Sequence, residues 1–259
     1  MDNNYVLITG ASSGIGYELA KLFNRDGYNL ILVARNSERL KIAIDKLSYD
    51  GKENEIITLN IDLSKENQVD KLIKYINDNK IEISTLVNNA GIGSFGDFSE
   101  INWDIEETLI DINIKALTKL TKIFLPKMIE KRHGGILNVA STAAFTSGPR
   151  MATYYASKAY VLNLTEAIYE EVKNHGVKVS CLCPGPVRTS FQSKAGINKS
   201  EKAKKYLMNA DIVAQIGYDE FKKGKVIIVP GLKNKILIKA NKLLPRYISR
   251  KIILKTNKK

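Results

Sequence analysis

Cysteine is scarce in this sequence: two in 259 residues, set as Cys181-Leu-Cys183. That excludes a fold stapled by disulfides. Histidine is as rare, with His133 and His175 alone. A zinc site would lack ligands, so no metal is expected. No apolar run reaches the roughly 18 residues that a membrane-crossing helix needs. The start, Met1-Asp2-Asn3-Asn4, has no basic stretch leading into an apolar one. A secretory leader is therefore not expected, and a cytoplasmic setting with reduced thiols is. Residues 1–231 also lack Gly/Ser linkers, internal repeats and low-complexity segments, which argues for a single domain there.

Acid is missing from one region only. From Lys222 to Lys259 there are 13 Lys or Arg and no Asp or Glu. The formal net charge of +13 belongs to that segment, and the chain before it is formally neutral. This excludes a uniformly basic nucleic-acid-binding domain.

What is present is alternation. Short apolar, β-branched runs recur at 4–9, 28–34, 55–61, 83–88, 135–140, 177–183 and 225–229. Stretches of helical spacing lie between them at 15–25, 37–49, 65–79, 103–131, 154–174 and 210–222. Strands alternating with helices predict an α/β fold: a doubly wound, parallel, seven-stranded sheet covered on both faces. Runs such as Leu30–Val33 and Val226–Val229 are apolar at every position, as buried parallel strands are.

Thr9-Gly10-Ala11-Ser12-Ser13-Gly14-Ile15-Gly16 follows the first strand and opens a helix. Glycines let backbone N–H groups approach a diphosphate, and the helix start adds partial positive charge. A tight strand–helix turn without a ligand would also use such glycines. The second strand ends in Val33-Ala34-Arg35, where an acid would hold a ribose 2′-hydroxyl. A cation there suits a 2′-phosphate, with Ser12 as a second contact and Arg39 one turn further on. The expected cofactor is NADP(H); the other reading of Arg35 is a solvated loop residue.

Tyr154 and Lys158 are four apart at the start of a helical stretch, so they share a face. A lysine ammonium beside a phenol favours phenolate and lowers the tyrosine pKa, which suits acid–base work. The same spacing also occurs on solvated helix faces. Ser141 ends the strand Ile136–Ala140, at the edge where ligands bind in open α/β sheets; a turn or helix-cap serine is the plainer reading. Asn113 sits among apolar residues of the long stretch 103–131, where it bonds locally or orders a water.

Together, Thr9–Gly16, Asp62, Asn88-Asn-Ala-Gly91, Asn113, Ser141, Tyr154-x-x-x-Lys158 and Pro184-Gly185 resemble the short-chain dehydrogenase/reductase family, over roughly residues 4–231. The look is closest to ketoacyl- or steroid-type reductases. The resemblance implies a Rossmann fold and hydride transfer between NADP(H) and a carbonyl/alcohol pair. It implies Tyr154 as proton donor, Ser141 bonding the substrate oxygen, Lys158 holding the nicotinamide ribose, and Asn113 ordering a relay water. Gly10, Ser12, Ser13, Gly14, Ile15, Gly16 and Arg35 would bind the dinucleotide. So would Asp62 and Leu63 near the adenine, and Asn89, Ala90 and Gly91 near the ribose. Pro184, Gly185, Val187 and Thr189 would line the nicotinamide pocket together with Tyr154 and Lys158. Tyr155 is three residues from Lys158 and is not chosen.

The segment Ser190–Lys205, with Phe191, Ala195 and Ile197, falls where that family has a substrate loop. Phe95, Phe98, Phe145 and Met151 line an apolar pocket or serve as ordinary core. The small-molecule substrate would be an apolar ketone, 3-ketoacyl or steroid-like. Helices around 103–131 and 154–174 would join subunits in a homodimer or homotetramer. Residues 232–259 form a separate basic amphipathic extension, with Pro245 dividing two helices. Three uses are open for it: peripheral contact with an anionic membrane, packing on a neighbour or over its own cleft, and nucleic acid, for which no reading motif is present. A non-catalytic dinucleotide sensor or membrane-associated scaffold acting through this extension is the alternative function.

Overall fold

The structure is a computed structural model and describes residues 4–48, 54–196 and 207–257. The expected substrate-loop residues beyond Gly196, Ile197 among them, lie outside these.

Six strands and their crossovers build most of the molecule: β1 Asn4–Thr9, β2 Asn29–Ala34, β3 Ile56–Asn60, β4 Glu82–Asn88, β5 Gly134–Val139 and β6 Val177–Leu182. Two strands of two residues follow, β7 Val187–Arg188 and β8 Met208–Asn209, paired only with each other. The last strand, β9 Ile227–Ile228, is shorter than the run 225–229 predicts, because only two residues meet β6. The main sheet has seven parallel strands in the order β3-β2-β1-β4-β5-β6-β9. The chain runs outward from β1 to β3, then returns to lay β4 on the other side of β1. Ligands bind at such a reversal, outside the carboxyl ends of the strands.

The apolar runs work because both faces are covered. Tyr5 and Leu7 of β1 face one core with α3 (Glu66–Asp78), α5 (Leu117–Glu130) and α6 (Ala152–Val172). Val6 and Ile8 face the other, with α1 (Gly14–Arg25), α2 (Ser37–Ser48) and Ala210–Lys222. Alternate side chains of one strand thus bury on opposite sides.

The predicted helix 103–131 is not continuous. It runs as α4 (Trp103–Ile110), a wider π-helical turn over Asp111–Ala116, and α5. The wide turn holds Asn113; such turns often mark functional positions. A helical turn, α7 (Phe191–Lys194), precedes α8, the helix Ala210–Lys222. The extension forms α9 (Leu232–Leu243) and α10 (Arg246–Thr256), separated at Pro245 as expected.

Candidate active site

The glycine turn sits at the carboxyl end of β1, where β1 and β4 part. Gly10 and Gly14 have φ of 65° and 60°, the left-handed region that favours glycine. A Cβ on Gly16 would lie 2.4 Å from Asn89 Nδ2 and 2.5 Å from the Gly10 carbonyl oxygen. The Asn89 amide explains this closeness, donating to the Thr9 and Gly10 carbonyls at 3.0 and 3.2 Å. Thr9 Oγ1 accepts from the Asn89 and Ala90 N–H groups, both at 3.0 Å. Thr9 and Asn89 therefore pin the turn to β4. The first turn of α1 contains no acid, and its start, Ser13, makes no side-chain cap. Backbone N–H groups at the positive end of α1 thus open from a turn built on glycine, a cradle that fits a diphosphate.

The other expected dinucleotide contacts ring that cradle. Arg35 is exposed at the end of β2, and Arg39 is exposed on the first turn of α2. Asp62 follows β3, its Oδ1 accepting from the Ser64 N–H and hydroxyl at 3.0 and 2.8 Å; Leu63 beside it is buried. Across the cradle, a Cβ on Gly14 would lie 3.0 Å from Thr189 Cγ2. Val187 is buried, and the Pro184 carbonyl accepts from the Thr142 N–H at 2.8 Å. Gly185 is close against Asn234 of the extension: a Cβ there would meet its amide at 2.6 Å.

Four expected chemical residues meet beside this cradle. Ser141 follows β5 in extended backbone and opens a short 3₁₀ turn, Thr142–Phe145. Tyr154 and Lys158 project from the buried face of α6. Lys158 Nζ donates to the Val139 carbonyl at 2.9 Å and lies 5.9 Å from the Tyr154 ring centre. A Cβ on Gly91 would lie 3.2 Å from Asn113 Oδ1 and 3.3 Å from Lys158 Nζ, so both groups converge on Gly91. Asn113 accepts from the Ile92 N–H and donates to the Ile92 carbonyl and Ser157 Oγ, each at 3.0 Å. These bonds explain why the helix widens here.

The electrostatics depart from the simple expectation. In the chain alone the Tyr154 phenol is not lowered: burial pushes it up to about 12, a hydrogen bond with Ser141 opposing the rise. Burial likewise pulls the Lys158 ammonium down, to about 8.

Around Tyr154 the walls are apolar. Leu109, Ala143 and Met151 pack with it, bordered by Ile92, Phe95 and Phe191. The Phe191 ring lies 5.5 Å from the Tyr154 ring, and Ala195 is buried close to Gly93. Phe98 is exposed instead, and Phe145 borders a different cluster on β6. Tyr155 borders the same cluster as Tyr154, its ring edge-on to the Tyr154 ring at 6.0 Å and close against Gly148.

Two groups of residues, Asn88 of the Asn88–Gly91 motif apart, escape a motif reading. Asn88 Nδ2 donates to Asn138 Oδ1 at 2.9 Å and to Thr121 Oγ1 at 3.0 Å, and Asn138 Nδ2 donates to Thr165 Oγ1 at 3.0 Å. This buried chain ties β4, β5, α5 and α6 together under the site. Polar residues inside otherwise apolar strand runs were its available signal. The second group fastens residues 145–150. Arg150 has φ of 68°, its carbonyl accepts from the Gly96 N–H at 3.0 Å, and its guanidinium donates to the Asn257 carbonyl at 3.0 Å. Nothing local in the sequence marks it.

A glycine cradle at a sheet reversal, with serine, tyrosine and lysine converging beside it, defines a dinucleotide-dependent oxidoreductase acting on CH–OH/C=O groups. Residues 4–200 match the family model described as short chain dehydrogenase. The chain belongs to that family and is an NAD(P)-dependent enzyme. The UcpA oxidoreductase of Salmonella typhimurium is 36% identical over 184 residues, 71% of this chain and 69% of its own. A short-chain dehydrogenase from Sphingobium yanoikuyae, solved in complex with NADPH, superposes with a TM-score of 0.82 at 30% identity, covering 92% of this chain and 93% of that one. A short chain dehydrogenase/reductase from Burkholderia phymatum, solved with NAD, gives 0.80 at 26% identity over 92% of each chain.

Proposed function

We propose that the enzyme uses NADP(H) to reduce an apolar ketone, with Tyr154 as the proton donor. The carrying observation is the convergence of Ser141, Tyr154, Lys158 and Asn113 beside the glycine cradle, inside apolar walls. A nicotinamide held beside Tyr154 and Lys158 would supply the hydride that the carbonyl carbon takes. The carbonyl oxygen is held by the Ser141 hydroxyl and takes the Tyr154 proton as the C–O double bond becomes a C–O single bond. With a pKa raised to about 12, Tyr154 is protonated at rest, as a donor must be. Lys158, at about 8, is largely an ammonium near neutral pH. It binds the cofactor ribose and favours the phenolate left behind. Asn113 orders a water beside Gly91 that returns a proton from solvent to Lys158 and Tyr154.

Arg35 after β2, Arg39 on the first turn of α2 and Ser12 of the glycine turn are the groups that would meet a 2′-phosphate, and Ala34 offers no acid to a free 2′-hydroxyl. The exposed stripe Ala152, Ala156, Tyr160, Asn163 and Ala167 of α6 suits a homodimer or homotetramer contact. The test is NADPH and NADH oxidation with a panel of apolar ketones, parent against Tyr154→Phe. We expect NADPH to be preferred and the variant to lose about 10²–10⁴-fold in turnover. Unchanged turnover in the variant overturns the assignment.

A further inference from the structure

The extension turns its polar side chains inward. Asn241 Nδ2 donates to the Phe145 carbonyl at 3.2 Å, the Ser249 and Thr146 hydroxyls are 2.8 Å apart, and Asn257 Nδ2 donates to the Pro149 carbonyl at 2.9 Å. Ser249 also bonds to Asn241, tying α10 to α9. Ser249 is the buried residue of α10, and α9 buries none fully.

Ile238, Ile248 and Ile253 are half-buried, but other large apolar side chains of both helices stay exposed. Leu232, Leu237 and Leu243 are 72%, 66% and 87% exposed, and Ile236, Tyr247 and Leu254 are exposed with them. A helix normally hides such residues, and a contiguous exposed set marks a contact surface. Cations surround it, and no acid occurs from Lys222 to Lys259.

We infer that the outward face of α9 and α10 docks on an anionic lipid bilayer. Leucine, isoleucine and tyrosine enter the boundary between headgroups and acyl chains, and Lys and Arg meet the headgroup charge. Helices of 12 and 11 residues broken at Pro245 lie along a surface; among the described residues no helix is long and apolar enough to cross a membrane. A second copy is disfavoured, because a two-fold contact would bring one acid-free surface against another. A nucleic acid would match the charge and leave the exposed leucines without a partner. The inward bonds seat the two helices on residues 145–150, which leaves the opposite face for the bilayer. The inference goes beyond the catalytic reading and stands without it.

The full chain is sedimented with vesicles of phosphatidylcholine alone, and with vesicles containing about one-third phosphatidylglycerol. We expect at least about tenfold more protein on the anionic vesicles, falling as salt rises. A Leu237→Ser, Leu243→Ser, Tyr247→Ser variant keeps every charge; it should keep the parent's melting midpoint and solution mass and lose at least about fivefold in vesicle binding. Equal binding to both vesicle types, binding to neither, or undiminished binding by the variant overturns the inference. A fall in the variant's solution mass overturns it in favour of a second copy.

Discussion

Around the crevice, buried polar side chains meet one another; in the extension, apolar side chains meet solvent. Thr121, Asn88, Asn138 and Thr165 form one buried chain of hydrogen bonds across α5, β4, β5 and α6, and Asn113 pairs with Ser157 separately. Leu237 and Leu243 are exposed, on helices fastened through amides and hydroxyls. A buried polar group is costly unless paired, so the first region tolerates few arrangements and holds a precise site. The second region keeps its apolar area available to something outside the chain. The same residue types do opposite work according to what surrounds them.

The sharpest way to break this contrast is Asn138→Leu. It removes one of the two bonds of the Asn88 amide and the one that the Thr165 hydroxyl accepts, leaving Thr121 and the Val161 carbonyl as their partners, and should cost about 1–3 kcal/mol by chemical denaturation. A loss under about 1 kcal/mol would show the buried chain to be no stronger than a surface bond.

Next comes the pH dependence of Lys158. Its pKa falls from 10.5 to about 8 in the folded chain. Between those values the unfolded chain binds more protons, so this group's contribution to stability rises with pH across that window. The unfolding free energy of the parent minus that of Lys158→Met should therefore climb by up to about 1.4 kcal/mol per pH unit. Taking the difference removes the opposite trend from Tyr154, whose raised pKa loses stability above pH 10. A flat difference would mean that the ammonium is well solvated.

The smallest effect belongs to the extension. Asn257→Ala removes the bond to the Pro149 carbonyl and should cost about 1 kcal/mol or less. Hydrogen exchange at residues 144–151 should quicken while β1, β4 and β5 keep their protection. Uniform loss of protection would make the extension part of the same cooperative unit as the sheet.

The sheet was legible because parallel strands buried on both faces read as unbroken apolar runs; β1, β2 and β6 fall within one residue of their predicted bounds. The glycine cradle and the residues grouped at Tyr154 were legible as spacing. The break at Asp111–Ala116 was not, since it is set by Asn113 reaching Ile92 and Ser157. Nor were the upward shift of Tyr154, which is made by burial, and the inward turn of Asn241 and Ser249, which is decided by partners nearly a hundred positions away.

That distance has a kinetic meaning. The bonds from the extension to residues 145–150 join positions 96 to 108 apart in the chain. Pairings of such high contact order require a long loop to close before any contact repays it. The β1–β2 unit, carrying the glycine turn, closes over a far shorter loop. The expected order is pairing of β1 with β2 first and docking of the extension on residues 145–150 late, which pulsed hydrogen exchange during refolding reads directly.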